Sequence, residues 1–301
     1  MEEAAVAGRE STRTWAMDGR TVLVTGAASG IGRASAAGLG RAGAIVLVHA
    51  RDRARAAAAA QELASGGGRF VPVSGDLGSL AGVRSLAEQV PQAAPGGLHV
   101  LVNNAGAAFS QRAVSPDGVE RTLAVNHIAV AALTSALLDS LRAGASAAGR
   151  ASRVVNVSSA MEKRGNPDLR DWSYPDRFRS FQAYCDSKLV NLAHTYALAA
   201  ELAGSGVTVN AANPGSVATE FQRKAGGVFK AVVVVGKAFL ASPEKGARTS
   251  IRLASDPALD DLTGGYYSAA KLDTSSATSR DPAFGQQVYA RTAAILAQAL
   301  R

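Results

Sequence analysis

Two side chains in the stretch Tyr184-Cys185-Asp186-Ser187-Lys188 can do proton chemistry together. A phenol and an ammonium four residues apart share one face of a helix, one turn from each other. The flanking residues predict that helix: Phe181, Tyr184, Leu189, Leu192, Tyr196 and Leu198 recur at mostly helical intervals, with alanines between. A free tyrosine titrates near pH 10 and exchanges its proton poorly at neutrality. A neighbouring positive charge favours the phenolate. Lowering the pKa by ~3 units takes on the order of 4 kcal/mol, much of which a close lysine in a partly dry cleft could supply. The expectation is a tyrosine poised as general acid or base. The same spacing also occurs on helices where the tyrosine is simply packed and the lysine solvated, so the pair gains meaning only from what positions it.

The elements upstream do so. Thr21-Val22-Leu23-Val24 is a short apolar run that predicts a buried strand. It leads into Thr25-Gly26-Ala27-Ala28-Ser29-Gly30-Ile31-Gly32 and then an alanine-rich helix. A glycine-rich turn between strand and helix lets backbone approach a phosphate, and the helix N-terminus offers free N–H groups to it. The spacing is G-x-x-x-G-x-G, not the G-x-G-x-x-G fingerprint. Ala44 to Ala50 reads as a second strand, and Arg51 follows it. An acid at this point would bind a ribose 2′-hydroxyl, whereas an arginine accommodates a 2′-phosphate, so NADP(H) is favoured over NAD(H). The competing reading makes Arg51, Arg53 and Arg55 a solvated helix start.

Further strands are expected at Arg69–Ser74, Leu98–Val102, Arg153–Val157 and Val207–Ala211. They end in Gly75-Asp76-Leu77, Asn103-Asn104-Ala105-Gly106, Ser158-Ser159 and Asn213-Pro214-Gly215, with helical segments between. Strands alternating with helices predict a parallel sheet covered on both faces. Polar or glycine signals gather at the carboxyl ends of the strands, the edge where open α/β sheets bind ligands.

Composition excludes several other classes. The chain has 301 residues with 47% hydrophobic content, which suits one large domain. One cysteine, Cys185, rules out an intrachain disulfide and suits a reducing cytoplasm; it reads as a packing residue. The net charge of +8 is spread along the chain, and 5% aromatic content argues against nucleic acid as a partner. Four histidines (His49, His99, His127 and His194) show no metal-ligand spacing, so no metal is expected. Ser159 has no obvious histidine base for a hydrolase triad. His127 reads as a packed or helix-surface residue. Residues 1–17 read as a disordered tail, and 18–301 as one domain. The most apolar later run, Val228–Ala241, contains Lys230 and Lys237 and is too short and charged to span a bilayer.

Taken in order, Thr25-Gly26-x-x-x-Gly30-Ile31-Gly32, Asn103-Asn104-Ala105-Gly106, Asn126, Ser159, Tyr184-x-x-x-Lys188 and Pro214-Gly215 resemble the short-chain dehydrogenase/reductase family over roughly Gly19 to Ser268. Ala50-Arg51-Asp52, Val125-Asn126-His127, the 25-residue interval from Ser159 to Tyr184, Ser187-Lys188-Leu189-x-Asn191 and Pro214-Gly215-x-Val217-x-Thr219 are similar to the branch around retinol dehydrogenases and carbonyl reductases. The resemblance implies a three-layer Rossmann fold, with a doubly wound, mostly parallel sheet of about seven strands. It implies Tyr184 as proton donor or acceptor and Lys188 as the group that lowers its pKa and bonds the nicotinamide ribose. Ser159 would bond the reacting oxygen, and Asn126 would fix a water linking Lys188 to solvent. Gly26, Ser29, Gly30, Ile31 and Gly32 would line the cofactor phosphates, Asp76 and Leu77 the adenine, and Asn103, Ala105 and Gly106 the adenosine side. Val217 and Thr219, after Pro214 and Gly215, would approach the nicotinamide amide and phosphates. NADP-preferring members often carry a basic residue where this chain has Ser29, which leaves Arg51 most of the discrimination.

The implied reaction is NADP(H)-dependent interconversion of a carbonyl and an alcohol. Met161–Ser180, with Trp172, Tyr174 and Phe178, and a lid near 216–241, with Phe221, Phe229, Val232 to Val235, Phe239 and Leu240, are expected to frame a bulky apolar substrate. The competing reading makes these residues core or subunit contact. The resemblance further implies a homodimer or homotetramer built on helices near Leu123–Leu141 and Gln182–Leu202. Asp281–Arg301 reads as a terminal helix that could cap the site or the interface. Two other functions stay open: a cofactor-binding regulator or scaffold without turnover, and a nucleotide-sugar epimerase or dehydratase, which also uses a Tyr-Lys pair.

Overall fold

A computed structural model of the chain describes residues 15–174, 178–215 and 241–298. Strands β1 (Thr21–Val24), β2 (Ile45–Ala50), β3 (Arg69–Ser74), β4 (Val100–Asn103), β5 (Ser152–Val157), β6 (Val207–Asn213), β7 (Tyr266–Ser268) and β8 (Lys271–Asp273) form one sheet in the order β3-β2-β1-β4-β5-β6-β7-β8. All neighbours pair in parallel except β7 and β8. The order reverses between β1 and β4, so a crevice opens there at the carboxyl edge of the sheet.

The helices are α1 (Gly30–Arg41), α2 (Arg53–Ala64), α3 (Leu80–Ala93), α4 (Arg121–Ala136), α5 (Leu138–Ala148), α6 (Ser180–Glu201), α7 (Pro243–Ser255), α8 (Ala277–Arg280) and α9 (Pro282–Gln298). Successive strand residues point to opposite faces. Val22, Val24, Val46, Val48, Val100, Val102, Val155 and Val157 therefore pack against Leu39 of α1, Ala60 and Leu63 of α2, and Leu253 of α7. Leu23, Leu47, Leu101, Val154 and Val209 pack on the other side against Leu86 and Val90 of α3, Leu133 of α4 and Leu198 of α6. Burial of each such side chain is worth ~1.5–3 kcal/mol, which ties the short strands into a rigid platform.

The three-layer, doubly wound expectation is met, with eight strands in place of about seven. The extra strand, β8, is antiparallel and returns through Ala269 and Ala270, at φ 48° and 60°. Met17, assigned to the tail on sequence, is fully buried in the core, and its N–H donates to the Ala42 carbonyl at 2.7 Å. The folded chain therefore starts before residue 18. The terminal helix is present as α9 and lies along α6. Its Val288 and Ile295 join Val190 and Ala193 of α6, Leu123, Ala124 and Ile128 of α4, and Trp172 in one buried cluster, with Phe284 packed against it. One face of α4 and α6, the helices on which the resemblance places subunit pairing, is thus covered by the chain's own C-terminal helix. Among the described residues no single helix is long and apolar enough to cross a membrane.

Candidate active site

Tyr184 and Lys188 lie in the second turn of α6 and beyond, the helix expected from their spacing. Lys188 is buried and its Nζ donates to the Val157 carbonyl, the last of β5, at 2.9 Å. It stands 5.8 Å from the centre of the Tyr184 ring. The Tyr184 hydroxyl is hydrogen-bonded to the side chain of Ser159, which follows β5. The Ser159 hydroxyl also accepts from Met161 N at 3.2 Å, as the cap of a short 3-10 turn at Ala160–Arg164. The end of β5 thus delivers a serine and a carbonyl to two positions one turn apart on α6.

Burial pushes the Tyr184 phenol up to about 12, partly offset by its bond to Ser159. Burial draws the Lys188 ammonium down to about 8. Desolvation is the largest influence on both groups. A phenol bonded to a serine one helical turn from a buried ammonium can act as general acid or base.

Asn126 lies within a π-helical turn, Ala124–Ile128, in the middle of α4. One extra residue in a helical turn redirects the rest of the helix, and such turns recur at functional sites. The Asn126 Oδ1 accepts from Ala107 N at 2.7 Å, and its Nδ2 donates to Ala107 O and to Ser187 Oγ, each at 2.9 Å. Its main-chain carbonyl accepts from Asn191 Nδ2 at 3.0 Å. Asn126 therefore docks the segment after β4 onto α6. Gly106 lies between: a Cβ there would stand 3.3 Å from Asn126 Oδ1 and 3.8 Å from Lys188 Nζ. Sequence reading passes over Ser187 as a working residue. Its hydroxyl receives from Asn126 and donates to the Tyr184 carbonyl at 2.7 Å, and a serine three residues after the tyrosine on a helix is the available signal.

The remaining site residues fall along the carboxyl edge. Gly26 and Gly30 hold φ of 66° and 55°, which glycine adopts without strain. Ser29 precedes α1 in extended conformation and is exposed; its hydroxyl makes no capping bond, and the first turn of α1 carries no acid. By contrast Asp52, Ser79 and Ser242 cap α2, α3 and α7 with their side chains. The amides of Gly30, Ile31 and Gly32 thus begin a helix whose positive end, among the described residues, takes no side-chain cap from its own N-cap, which fits a phosphate. Arg51 is exposed beyond β2, while Asp52 accepts from Arg55 N at 2.9 Å as the α2 cap. Asp76 is exposed and Leu77 buried after β3. Ala105 N donates to Thr25 Oγ1 at 3.0 Å, holding the two turns together across the crevice.

Asn103 is the last residue of β4. Its side chain turns into the core, donating to Thr134 Oγ1 at 3.1 Å and to Asn156 Oδ1 at 2.9 Å. Only its main chain remains for a ligand. Pro214 and Gly215 follow β6, with Gly215 at φ 74°; Val217, Thr219 and all but the last residue of the lid expected near 216–241 lie outside the described residues. Trp172 is buried against α4, α6 and α9, and the Tyr174 hydroxyl is bonded to Asp186. Cys185 and His127 are buried packing residues. Among the described residues no cluster of His, Cys, Asp or Glu could hold a metal.

An acid, its hydrogen-bonded serine and a buried lysine at the end of β5, beside a glycine crevice fitted to phosphate, suit hydride chemistry on a dinucleotide. Comparison with known proteins agrees. The family described as short chain dehydrogenase matches residues 20–227. The chain is 37% identical to retinol dehydrogenase 14 of Mus musculus over 291 residues, covering 91% of this chain and 84% of that protein. It is 38% identical to polyprenol dehydrogenase of Mus musculus over 279 residues, covering 90% of this chain and 82% of that protein. The solved RhlG/NADP active-site complex of Pseudomonas aeruginosa superposes with a TM-score of 0.68 at 29% identity, over 90% of this chain and 98% of that one. The chain belongs to the short-chain dehydrogenase/reductase family, in its retinol dehydrogenase-like branch, and is an oxidoreductase of alcohols and carbonyls.

Proposed function

We propose that the protein reduces a bulky, apolar ketone or aldehyde with NADPH. The observation that carries this reading is the Tyr184 hydroxyl, bonded to Ser159 at the carboxyl edge of β5, one helical turn from the buried Lys188. Bound dinucleotide supplies the hydride to the carbonyl carbon. Ser159 orients the carbonyl oxygen, and Tyr184 gives that oxygen its proton as the carbon–oxygen double bond becomes a single bond. Lys188, anchored on Val157, keeps a positive charge beside the phenolate left behind. Asn126 holds Gly106 and Ala107 against α6, so the crevice keeps its width. Arg51 favours NADPH because a guanidinium at the end of β2 suits a 2′-phosphate, and no carboxylate pairs with it among the described residues. The apolar substrate class follows the two relatives, whose names refer to retinol and polyprenol.

The experiment is consumption of NADPH and of NADH by wild type and Tyr184→Phe across a panel running from small polar carbonyls to long isoprenoid aldehydes. Turnover with NADPH that rises with apolar size and falls by about 10²–10⁴-fold in Tyr184→Phe supports the reading. Tight NADPH binding with no turnover of any carbonyl or alcohol would replace it with a binding role.

A further inference from the structure

His49 lies in β2 one residue short of its last residue, Ala50, and is 3% exposed. Its imidazole spans two turns at the carboxyl edge. Gly26 N lies 3.0 Å from Nδ1, and Gly75 O lies 2.9 Å from Nε2. A main-chain N–H can only donate and a carbonyl can only accept, so the partners fix the tautomer: Nδ1 is bare and Nε2 carries the proton. Burial lowers the pKa of His49, in keeping with a neutral ring.

The main chain on either side strengthens the span. The His49 carbonyl accepts from Ala27 N at 2.9 Å, and the Ala50 carbonyl accepts from Gly75 N at 3.2 Å. Across the crevice the glycine turn is already close-packed, since a Cβ on Gly26 would lie 3.1 Å from Ala105 Cα. The turn is therefore stopped on the β4 side by contact and tied on the β2 side by the His49 ring. A dinucleotide would touch both turns that the ring joins, its pyrophosphate at Gly26–Gly32 and its adenine at Gly75–Leu77.

We propose that His49 is a positioning residue for the dinucleotide, its ring setting the separation between the pyrophosphate turn and the adenine turn. The proposal rests on the proposed dinucleotide-dependent function. His49 acts through Gly26 and Gly75, and it stands apart from Tyr184, Ser159 and Lys188.

Calorimetric titration of NADPH into wild type, His49→Leu and His49→Asn tests it, each variant being checked by its melting temperature. Leucine fills the space without a polar atom. Asparagine keeps an acceptor at the position of Nδ1 and falls short of Gly75. Leaving the Gly26 N–H without an acceptor weakens NADPH binding roughly tenfold in His49→Leu, and His49→Asn recovers most of that loss. In turnover, KM for the dinucleotide rises while kcat stays within about twofold, a split that general loosening of the fold would not produce. Should His49→Leu not fold, His49→Gln takes its place, with a donor toward Gly75 but no acceptor at the Nδ1 position and the same expected loss. Wild-type affinity in His49→Leu or His49→Gln overturns the proposal, as does a folded His49→Asn that binds no better than they do. A wild type that binds neither NADPH nor NADH removes the dinucleotide reading itself, and the role of His49 with it.

Discussion

The Asp186 carboxylate, two residues beyond Tyr184 on α6, accepts the Tyr174 hydroxyl at 2.7 Å. It also accepts from Asn166 N and from Gln182 Nε2, each at 2.7 Å, and is 1% exposed. Three donors stabilise a buried anion that would otherwise be costly. Tyr174 sits at φ 55°, a strained value for a tyrosine, and its carbonyl is held by Arg112 Nε at 2.7 Å. Burial and Asp186 raise the Tyr174 pKa far above its ordinary value, so this phenol remains a donor. Asp186 thus fastens the segment after Ser159 to the helix that carries Tyr184. Tyr174→Phe should cost about 1.5–3 kcal/mol, the usual worth of a hydrogen bond to a charged group. Asp186→Ala, which strands three donors, should cost more and lower kcat. Urea unfolding measures both, and an unchanged midpoint in Tyr174→Phe would mean that the anchor is idle.

Lys188 gives the reaction a pH dependence. Burial draws its pKa from the ordinary 10.5 to about 8, so its ammonium is lost as pH rises through about 8. Stabilisation of the phenolate left on Tyr184 goes with it, and kcat for carbonyl reduction should fall above that pH. Lys188→Arg keeps a charge at every accessible pH and should remove the fall, at a lower plateau because guanidinium does not fit the Val157 contact as ammonium does. Tyr184→Phe should reduce kcat by about 10²–10⁴-fold at any pH. The pH–rate profile under saturating NADPH is the measurement, and a profile flat to pH 10 in wild type would exclude Lys188 as the titrating group.

Much of this site is visible in the chain before it folds. The motifs at Gly26–Gly32, Asn103–Gly106 and Ser159 follow directly on strands, so their place on the carboxyl edge follows from βα alternation, and the spacing of Tyr184 and Lys188 places both on one face of the helix after β5. Three features are hidden for physical reasons. The β7–β8 hairpin turns through two alanines at positive φ, where Gly or Asn is the usual signal. The balance between desolvation and charge at Tyr184 depends on burial, which spacing does not encode. Asn103 belongs to a motif associated with ligand contacts, yet the alternation of β4 turns its side chain toward Thr134 and Asn156.

Acid should loosen the layer behind the site. His194 of α6 stacks on Tyr289 of α9 at 5.4 Å and packs edge-on against His127 at 5.1 Å. Burial lowers His194 to about 4 and also lowers His127, whose Nε2 is bonded to Thr292 Oγ1 at 2.7 Å. A histidine whose folded pKa is depressed favours the fold fully above its unfolded value near 6.5 and loses that advantage as pH falls toward 4. For His194 this is about 3 kcal/mol across the window. Wild type should lose stability between pH 6.5 and 4. His194→Phe, which keeps the stack on Tyr289 and cannot titrate, should lose less. Urea midpoints at pH 7 and pH 5 measure the difference, and equal losses in the two proteins would remove His194 from the account.

The covered face of α4 and α6 bears on assembly. The family resemblance implies pairing through these helices, and Phe284, Val288 and Ile295 of α9 already pack on apolar residues of both, so a partner using this same face would meet α9 first. A second subunit would have to displace a helix of four to five turns and expose Val190, Ala193, Leu123 and Ile128 first. The chain should therefore run as a monomer of 30.6 kDa in light scattering after size exclusion. Val288→Asp places a charge in that buried contact, loosens α9 and uncovers the surface. It should shift the protein toward dimers or larger species in a concentration-dependent way and lower its melting temperature. A wild type that elutes as a stable dimer, together with a monomeric Val288→Asp, would show instead that α9 builds an interface with a second copy.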